Sequence, residues 1–200
     1  MSRHMALLII DVQNDFCPGG ALPVAHGDRV VEPLNRAIHH FSAAGLPVFA
    51  SRDWHPAETQ HFQEHGGQWP VHCVRDTLGA AFHPDLHLPE HVVVLSKGLD
   101  PQAEGYSAFE GQTEDGIDLA TLLTEAGIDH IYIGGLATDY CVKATVMDAL
   151  SRGLSVTVLA DGVAGVNIEP GDAQSALEAM QTAGARIMDV DAAVHNSINN

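Results

Sequence analysis

The sequence predicts an α/β fold: a doubly wound, mainly parallel sheet of six strands, with helices on both faces. Three observations carry that expectation. Six short runs are rich in Val, Ile and Leu and do not alternate with polar residues, which is how strands buried on both faces of a parallel sheet read. Segments with helical spacing lie between them. A glycine closes most of those segments just before the next run.

The first strand falls at residues 6–10. A helix follows over 30–44, where Val30, Val31, Leu34, Ile38 and Phe41 share a face and Gly45 is the stop. The second strand is 47–50. Residues 53–89 then break the rhythm and are rich in His, Pro and Gly. The third strand, 92–95, leads into a second irregular stretch over 98–118. A helix over 119–126 ends at Gly127 and feeds the fourth strand, 130–133. A helix over 140–150 ends near Gly153, before the fifth strand at 155–159. The last helix, 172–183, ends at Gly184 and precedes the sixth strand, 186–188. This repeated order is that of a Rossmann-like sheet. Loops as long as the two irregular stretches are uncommon and often functional.

Composition bounds the function. A chain of 200 residues is expected to form a single domain, residues 1–200, with a His-rich, metal-binding loop region over 53–89. The 46% apolar and 18% charged content excludes a disordered or collagen-like chain. Twenty-six acids against nine bases leave a formal charge of −17, which repels phosphate backbones. No nucleic acid and no membrane is therefore expected among its partners. The longest apolar stretch near the start, residues 5–10, is too short for a signal-peptide core or a membrane span. Three cysteines, an odd number, fit reduced thiols and a cytoplasmic setting. A homo-oligomer is compatible with all of this.

Ligands of open α/β sheets bind beyond the carboxyl ends of the strands. Asp11 follows the first run, Asp53 the second and Lys97 the third; Thr138, Asp139 and Cys141 follow the fourth. Cys141 is expected at a helix N-terminus capped by Thr138 or Asp139, a place that favours thiolate and offers N–H groups to an oxyanion. Asp11 could take the thiol proton and Lys97 could balance developing charge, the logic of covalent catalysis. Cys17 and Cys73 have no comparable setting. The spacing Asp53-x-His55 puts two ligands on one side of an extended segment, with His61 and His72 further along. One carboxylate with two or three imidazoles suits a single divalent ion, Zn²⁺, Fe²⁺ or Mn²⁺, with a position left for water or substrate. Glu64 and His65 are substitute ligands.

These pieces together resemble the nicotinamidase branch of the isochorismatase-like cysteine hydrolases. The resemblance rests on Leu8-Ile9-Ile10-Asp11-Val12-Gln13-Asn14-Asp15-Phe16-Cys17-Pro18-Gly19-Gly20, on Ser51-Arg52-Asp53-Trp54-His55-Pro56 and on Trp69-Pro70-Val71-His72-Cys73-Val74. Ser96-Lys97-Gly98, Tyr106-Ser107-Ala108-Phe109 and Gly134-Gly135-Leu136-Ala137-Thr138-Asp139-Tyr140-Cys141-Val142 extend it. It implies a catalytic triad of Asp11, Lys97 and Cys141. It also implies a metal held by Asp53, His55 and His72, with His61 as a fourth ligand found in some members. The peptide Leu136–Ala137 would be cis, and the N–H groups of Ala137 and Cys141 would form an oxyanion hole. Phe16, Trp69, Tyr106 and Leu136 would contact a flat pyridine ring. The activity implied is metal-dependent hydrolysis of nicotinamide to nicotinate and ammonia through a thioester, with pyrazinamide also accepted. The alternative is another amide or a carbamoyl substrate on the same triad. The segment 97–106 looks longer than in compact relatives.

Overall fold

The structure is a computed structural model that describes residues 4–198. Its sheet comprises β1 (Met5–Ile10), β2 (Val48–Asp53), β3 (Val93–Lys97), β4 (His130–Leu136), β5 (Ser155–Ala164) and β6 (Arg186–Met188). The order is β3-β2-β1-β4-β5-β6, and all neighbouring pairs are parallel. The helices are α1 (Val31–Ala43), α2 (Leu119–Glu125), α3 (Lys143–Ser151), α4 (Asp172–Thr182) and α5 (Val190–Ile198). None of them is long and apolar enough to cross a membrane.

The unbroken run of β1 has its reason in the packing. Leu7 and Ile9 enter one apolar cluster, with Leu34, Ile38 and Phe41 of α1 and with Val190 and Ala193 of α5. Leu8 and Ile10 enter the other, with Leu119 and Leu123 of α2, Val146 of α3 and Met180 of α4. A strand sandwiched this way has no polar face to show. Helix α1 lies very close to the sheet. A Cβ on Gly134 would come within 2.6 Å of Leu34 Cδ2, so the absent side chain makes room for the helix.

The chain runs outward from β1 through β2 to β3, then crosses back to β4 beside β1. The strand order reverses there, and the crevice beyond the carboxyl ends of β1 and β4 is where such folds bind ligands. Asp11 leaves β1 at that crevice, with a left-handed φ of 48°. Asp53 and Lys97 are the last residues of β2 and β3, and they stand opposite each other in register. The Leu136–Ala137 peptide, at the end of β4, is cis as the resemblance implied.

Several elements differ from expectation. β2 and β3 run to Asp53 and Lys97 instead of stopping at 50 and 95. Ser51, Asp53 and Lys97 are polar because they face a buried site, Arg52 and Ser96 hydrogen-bond each other on the opposite face, and that polarity hid the strand ends. β5 runs on past Gly162 to Ala164 after a register shift opposite Ile133 and Gly135. The helix expected over 140–150 divides into a wide turn, Thr138–Val142, and α3; Val142 N–H donates to Ala137 C=O at 3.1 Å. Helix α5 was not anticipated. It is short, and its start is fixed by a distant partner: Asp161 Oδ1 accepts the Val190 N–H at 2.8 Å.

Candidate active site

Lys97 is fully buried and organises the centre. Its Nζ lies 2.8 Å from Asp11 Oδ2, 2.8 Å from the Gly105 carbonyl and 3.5 Å from Cys141 Sγ. It also hydrogen-bonds Asp53 Oδ1. Parallel register brings Lys97 beside Asp53, and the adjacency of β1 and β2 brings Asp11 within reach of both. Ser51, on β2, donates to Asp11 Oδ1 at 2.7 Å.

Burial opposes the charge on Lys97, but Asp11 and Asp53 override it and hold the amine well above its usual range. Asp53 has the mirror situation: burial is the largest single influence and pushes its carboxyl up, but Lys97, His55 and His72 together outweigh it, and it ends well below the usual range. Asp11 is raised, by burial first and by Asp53, against the pull of Lys97. That direction favours a proton acceptor. Cys141 departs from the expectation of a thiolate-favouring helix end. Burial pushes its thiol well up, Asp11 and Asp53 add to that, and Lys97 opposes them without prevailing. The expected side-chain cap is absent too: the Asp139 carboxylate instead accepts the N–H groups of Val166 and Asn167 at 2.9 and 2.8 Å. The resting thiol therefore keeps its proton, and a neighbouring base must take it.

The second cluster adjoins the first through Asp53. Its Oδ2 lies 3.5 Å from His55 Nε2 and 3.7 Å from His72 Nε2. His55 Nδ1 sits 3.2 Å from the Gly98 carbonyl and His72 Nδ1 2.8 Å from the Pro70 carbonyl, so both rings turn Nε2 inward. His61 stacks on His55 with ring centroids 4.8 Å apart, and one nitrogen from each of His55, His61 and His72 lies within 4.8 Å of the others. Burial, with His55 and His72 nearby, lowers His61 to about 4, which leaves the neutral imidazole at neutral pH. His55 Nε2 is buried and has no hydrogen-bond partner. A polar atom orphaned this way, amid a carboxylate and two more imidazoles, fits a divalent ion such as zinc, iron or manganese. Glu64 and His65 are exposed on a separate turn and take no part.

A cavity opens between the two clusters. Phe16, Trp69 and Tyr106 line it, with Ala137, Asp53, His61, His72 and Cys141. Trp69 Nε1 donates to Tyr106 Oη at 2.9 Å and joins two walls of the cavity. Leu136 departs from expectation: it is wholly buried in the α1 face of the core and does not line the cavity. Its neighbour Ala137, the first residue beyond β4, lines the cavity instead.

Sequence reasoning passed over Tyr140, Leu22 and Val166 in the lining and Ser51 beside Asp11. It also passed over Gln13. The Gln13 amide nitrogen donates to the Asp53 and Ala80 carbonyls, and its oxygen accepts the Asp53 N–H, each at 2.8 Å. A signal for Ser51 was present: two residues before Asp53 on a strand, it faces the same side.

Residues 5–192 match the model of the isochorismatase domain family. A nicotinamidase of Escherichia coli (strain K12) is 44% identical over 198 residues, covering 91% of this chain and 93% of the relative. A nicotinamidase/pyrazinamidase of Mycobacterium tuberculosis is 41% identical, covering 92% and 97%. The crystal structure of a pyrazinamidase of Pyrococcus horikoshii in complex with zinc superposes with a TM-score of 0.86 at 45% identity, covering 93% of this chain and 99% of that one. With the triad-like centre, the cis peptide and the histidine cluster in place, this chain belongs to the isochorismatase family.

Proposed function

We propose that the chain hydrolyses nicotinamide to nicotinate and ammonia, and takes pyrazinamide as a second substrate. The observation that carries the reading is the reach of one ammonium group. Lys97 Nζ touches a buried thiol, the carboxylate beside it and the carboxylate of the histidine cluster, and that thiol and the second carboxylate line an aromatic cavity. The nicotinamidases similar to this chain support the substrate.

The roles follow from the surroundings. Asp11, with raised proton affinity, takes the Cys141 proton as Sγ attacks the amide carbon. Lys97 balances the charges on Asp11 and Asp53 throughout. The N–H groups of Ala137 and Cys141 hold the oxyanion, a contribution of roughly 3–4 kcal/mol per donor in comparable sites. Asp11 returns the proton to the nitrogen that leaves as ammonia, and a thioester remains. Water, deprotonated by Asp11, releases nicotinate and the thiol. Phe16 and Trp69 pack on the ring. Asp53, His55, His72 and His61 would hold a divalent ion, which would orient and polarise the ring through its nitrogen. The three free, buried thiols support a reducing compartment, and we place the enzyme in the cytoplasm, recycling the pyridine ring.

The test is ammonia release from nicotinamide by the purified protein, beside Cys141→Ala and a chelator-treated sample. Release that vanishes in the variant and falls on chelation is expected. No release from folded, zinc-loaded protein would overturn the reading in favour of another amide or a carbamoyl substrate.

A further inference from the structure

Asp11 must act twice in each acylation. It accepts the thiol proton while the C–S bond forms, and it gives that proton to the amide nitrogen as the C–N bond breaks. A carboxylate with this duty has to keep one orientation, yet Asp11 stands on a loop just beyond β1. Two strands hold its two oxygens. Ser51 Oγ on β2 donates to Oδ1 at 2.7 Å, and Lys97 Nζ on β3 pairs with Oδ2 at 2.8 Å. Ser51 is wholly buried, in a strand interior between the ladders to β1 and β3, where its side chain has little freedom. Without the serine hydroxyl, Oδ1 loses the hydrogen bond that fixes it, and the carboxylate can turn about its remaining contact with Lys97, whose other donors are taken by Asp53 and the Gly105 carbonyl.

We propose that Ser51 is a positioning residue for the acylation step: its hydroxyl anchors Oδ1 and keeps the Asp11 carboxylate from turning about its contact with Lys97, so that the carboxylate stays aligned with Cys141. The proposal rests on the reading of Asp11 as the base. Ser51 donates to no side chain of the histidine cluster, so its effect on chemistry is separable from ring binding and from metal.

The experiment compares wild type, Ser51→Ala and Ser51→Thr. Alanine removes the hydroxyl and adds no volume; threonine keeps the hydroxyl on a frame suited to a strand. Ser51→Ala is expected to lower kcat for nicotinamide by about tenfold or more, as small misalignments of reacting groups do, with KM and bound zinc per chain unchanged. Ser51→Thr is expected to stay within about threefold of wild type. A second readout needs no substrate: alkylation of Cys141 by iodoacetamide, followed on its peptide by mass. Ser51→Ala should slow it by a similar factor. A wild type that alkylates at Cys141 and releases no ammonia loses the substrate reading alone, and the alkylation series still judges Ser51. The proposal is overturned if kcat and alkylation are both unchanged in Ser51→Ala. It is equally overturned if zinc or KM shifts along with kcat, or if Ser51→Thr falls as far as Ser51→Ala.

Discussion

Lys97 is the residue on which the site turns. It is a wholly buried ammonium facing two wholly or nearly buried carboxylates, and each of the three is affordable only with the others. Lys97→Met keeps the stem and removes the charge, leaving Asp11 and Asp53 uncompensated. Loss of one partner from a buried ionic set costs on the order of 3–5 kcal/mol, so urea unfolding should show a fall of that size, together with loss of turnover. Cys141→Ala removes the nucleophile without exposing a charge, and its unfolding curve should stay close to wild type. A Lys97→Met protein as stable as wild type would mean that the carboxylates repel less than their burial implies. Asp11, Asp53, Lys97 and Cys141 were legible in the sequence because each follows a strand-like run, and strand ends converge in this fold class. The roles of Ser51 and Gln13 were not. Both act on partners 40 residues away, Asp11 and Asp53; the spacing to Asp53 put Ser51 on the right face but could not name its partner, and for Gln13 there was no local pattern at all. The thiol was misread for a related reason. A helix end is a local feature, but the burial and the two carboxylates that outweigh it come from other strands.

At the scale of elements, the histidine cluster is a product of loops pinned to strand ends. The segments at 59–69 and 98–106 meet where the Gln60 N–H and Thr59 Oγ1 both donate to the Pro101 carbonyl, at 2.9 and 3.1 Å. The Trp69–Tyr106 hydrogen bond closes them over the cavity. Gly98 is the hinge, with φ of 67° just after β3, and a Cβ there would lie 2.4 Å from His55 Cε1. Gly98→Ala must therefore displace the His55 ring from its place beside the Gly98 carbonyl. Outer partners of metal ligands are typically worth 10- to about 100-fold in affinity, and a loss of zinc affinity in that range is expected by chelator competition. Unchanged affinity would show that the ring has room to yield. The sequence marked these loops as functional by their length, and their histidines by type. It put His55, His61 and His72 first but could not decide between His61 and its substitutes: the stacking of His61 on His55, with Glu64 and His65 turned outward, is decided by a turn whose ends are fixed from Pro101 and Trp69.

The whole molecule carries a charge of −17 with only nine basic residues, and one of those, Lys97, is consumed inside the site. The surface is left short of cations. Arg36 shows the consequence: on α1, it pairs with Glu32 of its own helix, and it reaches Asp161 of β5 and Asp191 of α5, each at 3.3 Å. One half-exposed guanidinium thus serves three carboxylates, and such exposed pairs contribute little individually. Repulsion summed over the surface should outweigh them. Screening then stabilises the fold: raising salt from 0.01 M toward 1 M shortens the Debye length from about 30 Å to about 3 Å and weakens surface pairs and surface repulsion alike. If repulsion dominates, Tm at pH 8 should rise across that range. A gain of about 1 kcal/mol corresponds to roughly 2–4 °C in a chain of this size. The metal content must be held constant, because a bound ion raises Tm by mass action on its own. Chloride is the anion to use, since sulfate strengthens apolar burial and would raise Tm for a different reason. A Tm that falls with salt would reverse the balance and make clusters such as that at Arg36 the stronger influence. The buried centre should be indifferent to salt in either case, because Lys97 and its carboxylates lie beyond the reach of counterions; kcat measured along the same series is the control that separates surface from site.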